Sequence, residues 1–233
     1  MPVSGPRAAL TLAAAVAAAA LGAGCGSAPA PTDPAAIVRQ AKAAVDATPS
    51  VHFTLQSAGA KGSGTVVLGG SGDAARPDEL RGTFDVEVDG LPVTVKVLAA
   101  GGGFYVQPPF ATGYTKTDPT TYGIGDPSTL LDPTKGLSSI LPALAQLRSE
   151  GRVRVGSEVA DQVAGQLPGS TLPAVLPDTD PSVPVKVTVD VIPATHQVRR
   201  IVLVGPFDSA SPSTYTVVLT DYGEPLHVTV PAG

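Results

Sequence analysis

Two kinds of side chain in this sequence could do chemistry: a single cysteine thiol and three histidine imidazoles. Cys25 is the only cysteine, so the chain has no internal disulfide framework. The thiol directly follows a short apolar segment, which is the position of a cysteine that accepts a lipid. We therefore predict that Cys25 is the attachment site of a lipid anchor.

The residues before Cys25 have the features of a bacterial signal peptide. Arg7 and the amino terminus supply positive charge, and the apolar run 8–21 has 14 residues, whereas a membrane-spanning helix needs about 20. Leu21-Gly22-Ala23-Gly24 resembles a lipobox, with the departure that Gly22 lies three residues before the cysteine. We expect residues 1–24 to be removed and Cys25 to carry a diacylglyceryl group and an amine-linked acyl chain such as palmitate. The alternative is an ordinary signal peptide followed by an unmodified cysteine.

The predicted anchor sets the organisation of the rest of the chain. Two acyl chains suffice for stable anchoring, because each buried CH₂ contributes about 0.8 kcal/mol. Residues 25–34 are rich in Ser, Ala and Pro and cannot bury enough apolar surface to fold, so they form a flexible tether. Residues 35–233 then form one domain. We expect this domain to be held at the cell membrane, on the outer (periplasmic) face of the inner membrane.

The charge pattern argues against nucleic acid as a partner. The net charge of the chain is -5, it becomes more negative when Arg7 is removed, and Lys and Arg residues are scattered singly. Nucleic-acid binding needs a basic stripe or a stacking platform, and the sequence has neither.

The histidines do not form a catalytic pattern. Nucleophilic catalysis needs a Ser or Cys with a His and a carboxylate. His52 begins a predicted strand, His196 lies in a predicted hairpin loop and His227 lies on a predicted edge strand. The Gly-Ser-Gly triplets at 62–64 and 70–72 are interpreted as turns, because no Gly-x-Ser-x-Gly elbow is present. We expect a protein that is not an enzyme, with no metal and no cofactor.

The first predicted element of the domain is a helix. Asp33-Pro34 is a capping and first-turn pair, and Pro49 ends the segment. One apolar face repeats at helical spacing between them: Ile37, Val38, Ala41, Ala44 and Val45.

Alternation with period two then predicts antiparallel strands that have one apolar face and one wet face. In the first half of the domain these strands are expected near residues 51–55, 65–68, 84–88, 93–97 and 104–106. In the second half they are expected at 152–158, 183–192, 198–204 and 214–222, with an edge extension at 226–230.

The middle of the chain has helical spacing. Leu137, Ile140, Leu141, Leu144 and Leu147 predict a helix within 136–150, which Pro142 could kink. A Pro-rich segment near 172–176 allows a short helix at most. The predicted fold class is α+β: a strongly curved antiparallel sheet with two or three helices on one side.

Several motifs resemble the LppX/LprG (LppX_LprAFG) family of mycobacterial lipoproteins. They are Asp126-Pro127 through Leu131-Asp132-Pro133, Gly136-Leu137, Glu150-Gly151-Arg152, and the ending Val217-Val218-Leu219-Thr220-Asp221-Tyr222-Gly223-Glu224. Together with the order of elements, the resemblance extends from about residue 34 to residue 231. The sequence departs from the family in the Pro-rich segment 168–184 and in a Gly-rich hairpin at 69–72.

The resemblance implies a LolA-like half-barrel with helices on its concave face that enclose an apolar cavity. It implies a lipid-binding protein of the cell envelope that carries lipids or glycolipids with two or three acyl chains from the inner membrane toward the outer envelope. A lipid exporter in the membrane would be a further partner.

The residues themselves leave two interpretations open. An apolar sheet face under a helix is usually a packed core, and the protein would then be an envelope adaptor with a filled core that binds a protein partner. The inward positions, however, are mostly Val, Leu and Ala, which leave a large concave face hard to fill. We therefore predict an acyl-binding cavity. Its predicted lining is Phe84, Val86, Val88, Val93, Val95, Val97, Phe104, Leu137, Ile140, Leu141 and Leu144.

Overall fold

The structure is a computed structural model of the chain, and it describes residue 1 and residues 33–62, 64–122, 125–172, 182–207 and 211–230. The chain divides into two units, Met1–Ala30 and Pro31–Gly233, and the fold below is that of the second. The predicted signal peptide, the lipid attachment at Cys25 and most of the tether lie outside the described residues. Within those residues, no helix has both the length and the apolar character needed to cross a bilayer.

The one α-helix among the described residues, α1, comprises Pro34–Ala47. The Asp33 carboxylate accepts a hydrogen bond of 3.0 Å from the Ala35 amide, which satisfies a donor that the first helical turn leaves free. The predicted start at Asp33-Pro34 and the stop before Pro49 are confirmed. The buried face consists of Ile37, Val38, Ala41 and Val45.

In the part of the chain that the structure describes, eleven strands form a single curved sheet, in which every neighbouring pair is antiparallel. Their bounds are β1 Ser50–Ala58, β2 Thr65–Ala75, β3 Glu79–Val88, β4 Leu91–Ala100, β5 Gly103–Gln107, β6 Thr115–Thr117, β7 Ala145–Val155, β8 Glu158–Leu167, β9 Val185–Val191, β10 Val198–Gly205 and β11 Ser213–Thr220. The spatial order is β6-β5-β4-β3-β2-β1-β11-β10-β9-β8-β7. The predicted α+β half-barrel is confirmed.

The sheet consists of two meanders, β1 to β6 and β7 to β11, joined where β1 pairs with β11. Its two edges are protected against pairing with other chains. β6 has only 3 residues, and β7 is interrupted by register shifts and carries exposed arginines on an almost fully exposed strand. Short, bulged and charged edges are how natural sheets avoid aggregation.

The strand register defines two rims of the half-barrel. The upper rim holds the connections after β1, β3, β5 and β10, which follow Ala58, Val88, Gln107 and Gly205. The lower rim holds the connections after β2, β4, β7 and β9.

The concave face is covered by α1 and by the described residues of the crossover segment between β6 and β7, which are 118–122 and 125–144. This segment contains three short 3₁₀ helices, Pro119–Tyr122, Pro127–Leu131 and Leu137–Ala143, and a fourth, Gly169–Thr171, follows β8. α1 packs against Leu137–Ala143 and against β7, β8 and β10, whereas Pro127–Leu131 packs against β2, β3 and β4. The two halves of the sheet therefore have different covers.

One carboxylate ties α1 to the crossover segment. Asp46 accepts a hydrogen bond of 2.6 Å from the Ser138 hydroxyl and one of 2.7 Å from the Lys42 ammonium. Lys42 also donates to the Pro133 carbonyl at 2.9 Å. The Ser138–Asp46 and Lys42–Pro133 contacts join residues about 90 positions apart in sequence, so they hold α1 and the crossover segment in a defined position relative to each other.

The α-helix predicted within 136–150 is wrong. The structure has a 3₁₀ helix at Leu137–Ala143, and β7 begins at Ala145. Pro142 lacks an amide donor and lies inside the helix, so the α-helical hydrogen-bond ladder cannot continue through it. Leu147 lies on β7 and is half-buried. Its three-residue spacing from Leu144 therefore does not reflect a helix.

Two further predictions are corrected, and one strand was not predicted. Residues 226–230 form no strand; in this stretch the Val228 amide donates to the Glu79 carboxylate at 3.2 Å. β8 was not predicted, because its apolar residues are interrupted by polar and small ones. The triplet 70–72 and the supposed hairpin at 69–72 lie within β2. The short helix allowed near 172–176 falls mostly outside the described residues, after Gly169–Thr171.

The glycines in β2 and β3 are required by close approaches between the strands. A Cβ atom at Gly72 would lie 2.2 Å from the Arg81 carbonyl oxygen and 2.6 Å from the Gly82 Cα. A Cβ atom at Gly70 would lie 2.5 Å from the ring of Phe84. Glycine within a strand marks this kind of close approach. The glycines of the triplet 70–72 therefore serve the contact between β2 and β3 and do not mark a turn.

We predict that Gly72→Ala lowers the free energy of unfolding by about 1–3 kcal/mol, because the added methyl group forces the β2 and β3 backbones apart. Urea denaturation measures the change. Gly113→Ala is the control, because its Cβ would meet no atom within 4 Å, and it should change stability by less than about 0.5 kcal/mol. Equal stability of the two variants would contradict the assigned register.

Candidate functional site

A cavity lies between the concave face of the sheet and the crossover segment. Its walls are formed by β1 to β5, by β11, and by Tyr122 and residues 125–137 of the crossover segment. The described lining residues are Phe53, Leu55, Thr65, Val67, Leu80, Phe84, Val86, Val88, Val95, Val97, Phe104, Val106, Tyr122, Gly125, Pro127, Leu130, Leu137, Tyr215 and Val217.

The cavity wall is almost entirely hydrocarbon. Among the lining residues only Thr65, Tyr122 and Tyr215 carry a polar group on the side chain, and none carries a charge. A wall of this kind cannot satisfy the hydrogen bonds of water or of a charged ligand, so it favours an apolar occupant. The chemistry that the site supports is burial of hydrocarbon.

The free space is narrow. The cavity volume is about 150 Å³. An engineered core cavity of about 150 Å³ accommodates benzene. With its walls in this position, the cavity accommodates a segment of one acyl chain.

Two phenylalanines shape the middle of the cavity. The rings of Phe53 and Phe84 lie 5.9 Å apart at an angle of 31°. Phe84 lies close over Gly70 and Gly82, where any Cβ would meet its ring atoms. The glycines thus provide a flat floor for the ring.

The cavity opens at the upper rim. Val88, at the end of β3, lines the cavity and is 37% exposed. Its partner across the strands is Thr65, which also lines the cavity and is half-buried. A chain that left the cavity here would pass between these two side chains.

The structure brings seven of the eleven predicted lining residues together at this cavity: Phe84, Val86, Val88, Val95, Val97, Phe104 and Leu137. The other four lie outside its wall. Val93 is half-buried on β4 opposite Val86, whereas Ile140, Leu141 and Leu144 belong to the packed core. That any of the eleven contacts a ligand stays a prediction.

The sequence patterns did not indicate the walls formed by β1, β2 and β11, and of the crossover segment they indicated only Leu137 among the described lining residues. Phe53 and Leu55 alternate along β1, and Tyr215 and Val217 alternate along β11, so the period-two signal was present in both strands. The pairing of β1 with β11 joins the first and last strands of the sheet, and no local pattern indicates that contact.

A second, polar depression lies on the outer face of the sheet near the lower rim. The His52 Nδ1 is 2.7 Å from the Asp73 carboxylate, and Arg81 donates to that carboxylate at 2.9 Å. The three residues are direct cross-strand neighbours on β1, β2 and β3. Asp221 and Glu224 contribute to the same depression.

Burial would raise the pKa of Asp73, but the hydrogen bonds and positive charge of Arg81 and His52 outweigh it and lower the pKa below its usual value.

A buried phenol near the same rim behaves differently. Burial raises the pKa of Tyr222, although the charge of Arg199 opposes this, and its hydroxyl donates to the Val198 carbonyl. This bond fixes the Tyr-Gly-Glu ending to β10.

The histidines are placed as follows. His52 lies beside Ser50 on β1. The Ser50 hydroxyl donates its hydrogen to the Glu224 carbonyl and therefore not to the His52 imidazole. His196 lies in the hairpin between β9 and β10, as predicted, and its amide donates to the Ile192 carbonyl at 2.8 Å. His227 is exposed in the stretch after β11 that has no strand. No group of three or more metal-ligating side chains occurs among the described residues.

The fold and the cavity define a class: an α+β half-barrel whose concave face holds an apolar cavity. The sequence agrees with this class. The chain belongs to the LppX_LprAFG lipoprotein family, whose model matches residues 33–228. The resemblance drawn from the motifs is therefore confirmed. No curated protein matches the sequence significantly.

Two solved structures of the same family share the fold. LprF from Mycobacterium bovis is 16% identical, with a TM-score of 0.71 over 86% of this chain and 97% of that chain. The lipoprotein LppX of Mycobacterium tuberculosis is 16% identical, with a TM-score of 0.61 over 84% of this chain and 98% of that chain. A LolA superfamily protein from Nitrosomonas europaea has a TM-score of 0.29, which is too low to carry an argument.

We predict that Asp73→Asn destabilises the protein near neutral pH by less than about 1 kcal/mol, because Asp73 is partly exposed and solvent screens its ion pairs. The folded-state pKa of Asp73 is lowered, so its contribution is complete above the unfolded pKa of about 3.9 and is lost as the pH falls through the folded value. The difference between variant and wild type should therefore disappear on acidification.

Urea denaturation at a series of pH values measures this difference. Glu87→Gln is the control, because it removes a carboxylate from the strand that carries Arg81 without changing the cluster. A difference for Asp73→Asn that persists or grows at acid pH would contradict the assignment.

Proposed function

We propose that this protein is a membrane-anchored lipoprotein that binds acylated lipids or glycolipids in the apolar cavity. In this proposal it carries them from the inner membrane toward the outer cell envelope. The observation that carries the proposal is the uncharged hydrocarbon wall, which reaches from Leu137 in the crossover segment to Val88 at the upper rim. Burial of hydrocarbon gives about 25 cal/mol per Å² of apolar surface, so an acyl chain needs little further recognition.

The size of the cavity limits the cargo. The present free volume of about 150 Å³ accommodates part of one chain. Two or three chains would require the crossover segment to move away from β2, β3 and β4. The 3₁₀ helix Pro127–Leu131 is the part that would move, because it has few residues and its buried residues are Leu130 and Leu131. We propose that cargo binding widens the cavity at this helix.

We further propose that the protein binds its lipid without converting it. The family is one of lipoproteins, and the described histidines are accounted for by a hydrogen bond to Asp73, a hairpin and an exposed tail position. The partners proposed are a di- or triacylated lipid, the inner membrane through Cys25, and a lipid exporter in that membrane.

The second candidate is an envelope adaptor with a filled core. The narrow free space favours it, and so does the burial of Ile140, Leu141 and Leu144 in the packed core. In that case the cavity would be a packing defect, and the functional surface would lie elsewhere on the domain. The two candidates differ in what happens when the cavity is filled by a larger side chain.

We predict that Val95→Trp leaves the stability of the lipid-free protein within about 1 kcal/mol of wild type, because the indole enters the cavity that half-buried Val95 lines. The same variant should lose most of the lipid that copurifies with the wild type, because the side chain takes the space of an acyl chain. Urea denaturation gives the stability, and mass spectrometry of an organic extract gives the lipid content.

Val189→Trp is the matched control. Val189 is fully buried in the core on β9 and does not line the cavity, so its overpacking should cost about 1–3 kcal/mol or more. A Val95→Trp variant that is destabilised like Val189→Trp and keeps its lipid would favour the adaptor and count against the carrier.

We predict that Cys25→Ala abolishes metabolic incorporation of a palmitate analogue and removes the protein from the detergent phase in phase partitioning. The reason is that Cys25 provides the sole thiol of the chain for acylation. Ser27→Ala in the same tether is the control and should retain the label. Incorporation into the Cys25→Ala variant at the wild-type level would refute the proposed anchor.

A further inference from the structure

We propose that the upper rim docks onto the surface of a lipid bilayer through an apolar tip formed by Val88, Leu91 and Phe110. Docking would place the mouth of the cavity against the membrane, so that an acyl chain could enter without crossing water. This inference rests on the proposed function as a lipid carrier, and the experiment below separates the two.

The first observation is the exposure of large apolar side chains at the tip of the β3–β4 hairpin. Leu91 is 68% exposed and Val88 is 37% exposed. The two residues are direct cross-strand partners, so their side chains lie side by side on the same face of the sheet. Such adjacent exposed apolar groups mark an interaction site more often than isolated ones do.

The second observation is Phe110, in the connection after β5. Its side chain is fully exposed, and its φ of 66° lies in the left-handed region that bulky residues rarely adopt. Two hydrogen bonds hold the loop in this shape: the Ala111 amide donates to the Pro108 carbonyl at 3.2 Å, and the Gln107 side chain donates to the Ala111 carbonyl at 2.8 Å. An ordered loop therefore holds an aromatic ring in solvent.

The strand register places Phe110 on the same side of the half-barrel as Leu91. β3 and β5 both pair antiparallel with β4, so they run in the same direction. β3 ends at Val88, opposite Leu91, and β5 ends at Gln107, opposite Lys96 in the middle of β4. The tip of the hairpin and the loop after β5 therefore project from one side of the half-barrel.

The third observation is the continuity between the exposed tip and the cavity. Val88 belongs to both, because it lines the cavity and is partly exposed. The apolar surface thus extends without interruption from the cavity wall to Leu91. A protein partner seated on the tip would close this path, whereas a bilayer would offer its own hydrocarbon at the mouth.

The charges and the tether also favour a bilayer. Lys61 in the β1–β2 connection and Asp89 in the hairpin turn are both exposed and carry opposite charges. The two connections are in contact, because the Asp89 amide donates to the Gly64 carbonyl at 3.2 Å. The rim therefore needs no particular lipid charge. Cys25 and Asp33 are eight residues apart, so an extended tether keeps the domain within about 29 Å of its anchor.

The test compares mature chains that begin at residue 25 and carry Cys25→Ala, so that no acyl anchor contributes. Flotation with phosphatidylcholine vesicles measures docking, and fluorescence measures uptake of a fluorescent phospholipid from those vesicles. We expect Leu91→Asp combined with Phe110→Asp to lower vesicle binding and the initial uptake rate at least about tenfold, because insertion of two large apolar side chains is lost. Uptake of the same lipid from detergent solution should be unchanged.

Val159→Asp is the matched control. Val159 is 43% exposed but lies at the start of β8, at the lower rim, so this variant should bind vesicles like the wild type. Phe110→Asp alone should lose part of the vesicle binding. Because Phe110 lies outside every described strand, this variant tests docking without a substitution in the β3–β4 hairpin that could disturb its folding.

Docking through this tip would be overturned if the double variant bound vesicles and took up lipid as well as the wild type does. It would also be overturned if Val159→Asp lost as much vesicle binding as the double variant. Strong dependence of flotation on anionic lipid would overturn the apolar mode of binding. A wild type that takes up no lipid from either source would refute the carrier function, and flotation would then still decide whether the tip docks.

Discussion

The unequal cover of the concave face is the constraint on which the rest of this structure depends. α1 lies against β7, β8 and β10, whereas β2, β3 and β4 are covered by the short 3₁₀ helix Pro127–Leu131. Among the described residues, an α-helix covers one half of the sheet, and a short 3₁₀ helix covers the strands of the other half. The contacts Asp46–Ser138 and Lys42–Pro133 hold the two parts of the cover together, and the cavity lies under the 3₁₀ helix.

The residues at the thin side keep that space open. Valines form much of the wall on β2 to β5, and glycines replace side chains at positions 70, 72 and 82. The Phe84 ring lies over two of these glycines and contacts Phe53. The result is a smooth hydrocarbon wall that ends at Val88, where the hairpin tip is exposed. The cavity and the proposed membrane-docking tip are consequences of the same apolar face of β3 and β4.

Much of the fold could be predicted from the sequence, because alternating apolar residues specify one buried face of each strand. The strands near Phe84 and Val95 were found in this way, and seven predicted residues meet at the cavity. The helix predicted through Leu144 was wrong, because helical spacing of leucines does not show that Pro142 breaks the hydrogen-bond ladder. The contact of β1 with β11 and the close approach at Gly72 depend on distant parts of the chain.

The central claim is that the cavity binds an acyl chain, and native mass spectrometry of the mature Cys25→Ala protein purified without detergent tests it most directly. We expect a population that carries one noncovalent adduct, which organic extraction identifies as an acylated lipid, and we expect Val95→Trp to reduce this population. If the wild type and the variant both show only the mass of the polypeptide after exposure to envelope lipids, the cavity does not bind an acyl chain.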